Sequence, residues 1–229
     1  MHVALIPDGN RRYMSKNNIN LVDSYDQGIR KFYEFVDWCS KQGVREITLY
    51  ALSIENIQNR EPEEIETLFT VFNSHALDGI NEPRIHENKV RVNVCGDKKQ
   101  LIEAGVGSDL SAEVVENLGK LEEATKDYTN LTLNLAIAYG GRQEILNAVK
   151  TLVAEGLELT EENLKAKLWV PGYPDILIRT AEDRISNFLL WQSAYSEIYF
   201  IEKLWQEFSE EDLVEIINDF KTKERRYGK

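Results

Sequence analysis

The chain has 229 residues, 42% of them apolar and 29% charged, with 39 acidic against 27 basic side chains and a formal net charge of −12. That length suits one domain with a substantial core, spanning 1–229. The acidic balance argues against a nucleic-acid partner, which needs a broad basic face, and no apolar run approaches the roughly 20 residues that cross a bilayer.

Val3-Ala4-Leu5-Ile6 opens a predicted strand over 3–7, and the charged turn Asp8-Gly9-Asn10-Arg11-Arg12 follows at once. Tyr25, Ile29, Phe32, Val36 and Cys39 then step by four and three along one helix face. A strand over 46–52 (EITLYAL) runs into Ser53-Ile54-Glu55-Asn56. Ile65, Leu68, Phe69 and Phe72 mark a helix over 61–80, whose aromatic stripe fits either a packed core or the wall of a long apolar cavity. Strands are predicted over 89–95 and 130–138, separated by a helix over 108–127 with the stripe Leu110, Val114, Leu118 and Leu121. Gly140-Gly141-Arg142 follows the second of them, then a helix carrying Ile145, Leu146, Val149 and Leu152. The stretch 155–174, with Gly156, Pro171, Gly172 and Pro174, reads as a surface excursion. Strands over 175–179 and 197–201 and a helix on Leu213, Ile216, Ile217 and Phe220 complete the chain. Cys39 and Cys95 lie inside apolar patterns and read as buried thiols, which with the absence of a signal-like start predicts a reducing, cytoplasmic setting. The three histidines show no metal-ligand spacing.

Strands alternating with helices predict an α/β fold around a mostly parallel six-stranded sheet flanked by helices. In such sheets ligands sit beyond the carboxyl ends of the strands, where the charged turns after strands one, two, four and five all fall. An aspartate beside Gly9 can ligate magnesium, which prefers one or two carboxylates plus phosphate oxygens. The adjacent N–H groups can cradle an anion while Arg11 and Arg12 grip its oxygens. In RTAEDRISNF (179–188), Arg179, Arg184 and Ser186 either converge on a second phosphate group or form a salt-bridged loop with Glu182 and Asp183. Glu197 opens the last strand as either a metal-shell acid or an ordinary strand-end charge.

Taken together, HVALIPDGNRR, LYALSIEN, AYGGR, IRTAEDRISNFLLWQSAYSEIYF and ERRYGK resemble the cis-prenyltransferase family in order and spacing over the whole chain. The resemblance implies a parallel α/β fold with a deep hydrophobic tunnel, a homodimer, and magnesium-dependent joining of an allylic prenyl diphosphate to isopentenyl diphosphate. Carried across, Asp8 would serve magnesium and the leaving diphosphate, with Glu197 helping to hold the metal. Gly9, Asn10, Arg11, Arg12 and Arg60 would hold the allylic diphosphate; Arg179, Arg184 and Ser186 would hold that of the acceptor. Ser53 and Asn56 would lie near the reacting carbons. Arg226 and Gly228 match a C-terminal Arg-x-Gly that reaches into the partner's site. A greasy product implies transient contact with a membrane surface.

Four departures stand against the family pattern. Arg11 replaces a usual glycine, and Leu21, Ser24 and Tyr25 replace a usual arginine and Gly-His pair. RTAEDR is one residue shorter than the common RTGGEHR, and YALSIENIQNR one longer than YAFSSENWNR. These changes raise an atypical, non-head-to-tail condensation with an allylic acceptor such as dimethylallyl diphosphate as an alternative. A non-catalytic partner subunit and a magnesium phosphohydrolase are the rival classes. The retained Asp8, Arg12, Arg179, Arg184 and Ser186 weigh against the former, and the lack of an evident nucleophile against the latter.

Overall fold

A computed structural model describes residues 1–104 and 108–224. In chain order the elements are β1 (His2–Ile6), α1 (Asn10–Asn17), α2 (Leu21–Lys41), β2 (Glu46–Ser53), α3 (Ile54–Asn59) and α4 (Pro62–Gly79). Then come α5 (Pro83–Glu87), β3 (Val90–Cys95), α6 (Lys98–Glu103), α7 (Ser108–Thr125), β4 (Leu131–Tyr139), α8 (Gly141–Glu155) and α9 (Glu161–Lys167). β5 (Ile176–Thr180), β6 (Glu197–Ile201), a 3-10 turn (Trp205–Glu207) and α10 (Glu210–Thr222) follow.

The six strands lie in the order β3-β4-β2-β1-β5-β6, and every pair is parallel. All six fall within one residue of their predicted ends, because strands buried on both faces read as nearly continuous apolar runs. The chain builds one side of the sheet through β2, β3 and β4, then crosses to β5 on the other side of β1. The crevice above β1 and β5 is therefore the topological switch point, where open parallel sheets take their ligands.

Side chains alternate between faces along each strand. Val3, Leu5, Ile47, Leu133, Ile176 and Ile178 pack with Phe32, Phe35, Trp205, Leu213 and Ile217 of α2, the 3-10 turn and α10. Ala4, Ile6, Ala136 and Leu177 point the other way, against Val170, Phe188 and Leu189.

Two expectations need correction. The stretch 155–174 is not only a surface excursion: Thr160 caps α9, and Leu164 and Leu168, one helical turn apart, are buried against Ala148 and Leu152 of α8. On α8, Leu146 is not core but 59% exposed, because Ala148 and Leu152 rather than Leu146 face α9. Among the described residues no helix is long and apolar enough to cross a membrane.

Candidate active site

β1 delivers Asp8 to the rim, and neighbouring elements clamp its backbone there. The Asp8 N–H donates to Thr180 Oγ1 at 2.9 Å, the same hydroxyl donates back to the Asp8 carbonyl at 2.8 Å, and the Trp205 N–H donates to that carbonyl at 3.0 Å. The carboxylate is fixed as well: Oδ1 accepts the Gly9 N–H at 2.6 Å, and Oδ2 accepts Arg179 Nη2 at 2.8 Å. Gly9 takes φ 110°, and a Cβ there would stand 2.9 Å from Leu204 Cδ2, so the turn requires glycine. α1 starts directly afterwards, presenting the unpaired N–H groups of a helix amino terminus to the rim.

Arg179, the fourth residue of β5, is 3% exposed and ties three segments together. Besides Asp8, its guanidinium donates through Nη1 to the Arg184 carbonyl and, at 2.5 Å, to Ser186 Oγ. The loop it holds is contorted: Ala181, Ser186, Asn187 and Leu189 all have positive φ. Such conformations persist only where surrounding contacts over-determine them. Asn187, which the sequence reading passed over, supplies several of those contacts. Its carbonyl accepts the Gly141 N–H at 2.7 Å, its Oδ1 accepts the Arg142 N–H at 2.9 Å, and its amide donates to Glu55 at 2.7 Å.

Below that corner, Glu144 on α8 is fully buried. It accepts from the Tyr139 hydroxyl, Gln192 Nε2 at 3.0 Å and the Val170 N–H at 2.8 Å. Burial raises its carboxyl pKa against the opposing effect of these donors.

At the end of β2, Ser53 caps α3 by accepting the Asn56 N–H at 2.9 Å. Arg60 Nη1 donates to the Tyr25 hydroxyl at 2.8 Å and lies 3.2 Å from Glu64, to which Tyr25 in turn donates at 2.9 Å. Burial pushes the Tyr25 hydroxyl up to about 12, so it keeps its proton at neutral pH. Arg11 approaches the same Glu64 oxygen at 3.9 Å.

A cavity of about 810 Å³ opens on this rim. Its mouth is polar, formed by Asp8 to Arg12, Ser53, Asn56, Arg60, Arg179, Arg184 and Ser186; deeper walls are Phe32, Leu68, Phe72, Leu118, Leu121 and Leu133. The aromatic stripe of α4 thus divides: Phe69 is fully buried in the core, whereas Phe72 lines the cavity.

Of the fourteen predicted site residues, eleven line this one cavity, Arg226 and Gly228 lie outside the described residues, and Glu197 alone stands elsewhere. Two departures are informative. Glu197 does not approach Asp8 within the chain; it starts β6 at the opposite strand end, beside Ile176, and pairs with Lys223 at 3.0 Å. Asn10 accepts Gln206 Nε2 on Oδ1 at 2.7 Å and donates from Nδ2 to the Pro7 carbonyl at 3.4 Å, so its side chain is engaged within the chain. Among the described residues no group of three or more His, Cys, Asp or Glu side chains could hold a metal alone. A single carboxylate among arginines instead suits a cation that brings phosphate oxygens as its other ligands.

The family model described as "Putative undecaprenyl diphosphate synthase" matches residues 6–228. The chain is 40% identical to a tritrans,polycis-undecaprenyl-diphosphate synthase (geranylgeranyl-diphosphate specific) of Pyrobaculum aerophilum, covering 100% of this chain and 95% of that one. It is 38% identical to an isoprenyl transferase of Thermus thermophilus, covering 100% and 88%. Two solved structures are similar over 100% of this chain and 98% of theirs. One is a probable undecaprenyl diphosphate synthase from Campylobacter jejuni, with TM-score 0.80 and 31% identity. The other is lavandulyl diphosphate synthase from Lavandula x intermedia in complex with dimethylallyl diphosphate, with TM-score 0.89 and 27% identity.

Proposed function

The chain belongs to the undecaprenyl diphosphate synthase family of isoprenyl transferases, which are enzymes, and from that membership we propose that it joins an allylic prenyl diphosphate to isopentenyl diphosphate. The observation that carries this reading is the Asp8–Arg179 pair at 2.8 Å, standing at the mouth of a cavity whose deeper walls are apolar. A polar mouth fits diphosphates, and a greasy interior fits a growing prenyl chain.

Gly9, Arg11, Arg12, Arg60 and the backbone of Asn10 hold the allylic diphosphate on the α1 side. Arg179, Arg184 and Ser186 hold the acceptor diphosphate on the β5 side, with Arg226 and Gly228 completing that group. Breaking the allylic C–O bond places negative charge on the departing diphosphate, and guanidinium groups already aimed there stabilise it as it develops. Two diphosphates held side by side set the acceptor double bond against the allylic carbon. Ser53 and Asn56, at the turn between β2 and α3, border the space where those carbons meet. Magnesium fits the donor set through Asp8, and when bound it neutralises diphosphate charge. The metal role assigned to Glu197 finds no support within one copy of the chain.

The enzyme works as a homodimer in the cytoplasm and meets membrane surfaces transiently to release its product. Supporting the dimer, β6 is an edge strand whose Ile198 and Phe200 are 41% and 40% exposed.

A second reading keeps the same site and places an allylic acceptor such as dimethylallyl diphosphate on the β5 side. It is favoured by Arg11, an additional cation lining the mouth. Incubation with magnesium and with single or paired prenyl diphosphates, followed by mass spectrometry and NMR of the products, tests both. A cis-polyprenyl diphosphate made with isopentenyl diphosphate is expected. An irregular coupling of two allylic units would replace the first reading with the second, and diphosphate release without a new carbon–carbon bond would refute both.

A further inference from the structure

The arginines of the cavity mouth already hold carboxylates. Glu182, in the loop after β5, accepts Arg12 Nη2 on Oε1 at 2.8 Å and Arg184 Nη1 on Oε2 at 2.7 Å. Arg12 reaches it from α1, Arg184 from its own loop, so one carboxylate joins the two sides of the switch-point crevice. All three residues line the cavity. A carboxylate shared by two guanidinium forks occupies the position that oxygens of a bound diphosphate need.

A comparison with Glu64 separates a movable carboxylate from a fixed one. The Glu64 side chain is 15% exposed and also receives the Tyr25 hydroxyl, which anchors it to α2. Glu182 is 32% exposed, its arginine partners are 51% and 62% exposed, and among the described residues no further side chain holds it. Its backbone is fixed nonetheless: the Glu182 N–H donates to the Thr180 carbonyl at 2.9 Å, and the Ala181 N–H to the Ile201 carbonyl at 2.7 Å. Only the side chain has to move for the carboxylate to leave.

We infer that Glu182 is an internal counter-anion that holds Arg12 and Arg184 in place until an incoming diphosphate displaces it. The inference rests on the diphosphate reading of this rim. A diphosphate carries more charge than one carboxylate and reaches both forks at once, so it wins the exchange; a weakly charged ligand does not. The same carboxylate keeps two neighbouring cations from repelling each other before substrate arrives. Its cost is that every anion must first break two ion pairs.

Isothermal titration of inorganic pyrophosphate into the full chain tests this. Glu182→Gln removes the competing charge, and because each exposed ion pair contributes modestly the gain is expected to be about threefold to tenfold in affinity. Glu182→Asp, whose shorter arm cannot span both arginines, should fall between the two. Equal or weaker binding by Glu182→Gln, with measurable binding by the unmodified chain, overturns the displacement and leaves the diphosphate site standing. Failure of the unmodified chain and both variants to bind pyrophosphate overturns the inference together with the reading beneath it.

Discussion

Replacing Asp8 with asparagine keeps the shape of the side chain and removes its charge. In the native site the two carboxylate oxygens have separate duties, one accepting the Gly9 N–H at 2.6 Å and the other Arg179 Nη2 at 2.8 Å. An amide has one acceptor oxygen, so Asp8→Asn must surrender one of these bonds. A hydrogen bond to a charged group contributes about 1.5–3 kcal/mol, but the Asp8 side chain is 38% exposed, and solvent screening reduces the loss to about 1 kcal/mol. For a chain of this size that lowers Tm by about 2–4 °C. Arg179 keeps its bonds to the Arg184 carbonyl and Ser186, so the loop should stay folded. Turnover should suffer far more, because the charge that recruits the cation at the leaving group is gone; a preorganised group of this kind is worth about 2.7–4 kcal/mol, or roughly 100- to 1000-fold in kcat. Scanning calorimetry beside a diphosphate-release assay separates the two effects. Turnover within a factor of a few of the unmodified enzyme would refute the role of Asp8, and so would a loss of activity that tracks a collapse in Tm.

Other perturbations address the site's supports and the cavity. Glu144→Ala strands three buried donors, from Tyr139, Gln192 and Val170, and should destabilise the fold by at least about 3 kcal/mol in urea titration. Because burial raises the Glu144 pKa above 4.5, its contribution is fully present below that pH and is lost as pH rises through the raised value. Glu144→Gln should therefore flatten the stability profile over that window, and an unchanged profile would count against the assignment. Tyr25→Phe frees Arg60 from the hydroxyl it donates to at 2.8 Å and should raise KM for the allylic substrate more than it lowers kcat. An effect confined to kcat would contradict the placement of Arg60 at the allylic diphosphate. Ala76→Phe fills part of the apolar cavity, which Ala76 lines, and should shift products toward shorter chains on chromatographic sizing. An unaltered product distribution would mean that the chain grows elsewhere.

The sequence made the sheet legible for a specific reason. Val, Ile and Leu run through strands covered on both faces, and the charged turns that follow them must gather on one edge. α1 was harder to see because none of its residues is buried, so NRRYMSKN carries no apolar period. The short helices α3, α5, α6 and α9 have the same weakness at five to seven residues each. Within the site, residue type and position put Asp8, Arg179 and Ser186 among the candidates, and the structure brings the three together. The carboxylates between the arginines were less legible. Glu182 admitted a salt-bridged loop as well as a neighbour to a phosphate grip, and the structure pairs it with Arg12 and Arg184. The loop's run of positive φ values at Ser186, Asn187 and Leu189 depends on tertiary contacts that no local signal encodes. Glu197 does open β6, as its place in the sequence indicates; because the sheet is parallel, that start lies at the strand ends opposite Asp8.

The most direct test is a structure of the magnesium complex with an unreactive allylic thiodiphosphate and isopentenyl diphosphate. One diphosphate should lie against Gly9, Arg11 and Arg12 and the other against Arg179, Arg184 and Ser186, with the cation at Asp8 and the prenyl tail passing Phe72 into the cavity. Diphosphates bound away from the β1–β5 crevice, or a tail lying outside the cavity, would contradict the account.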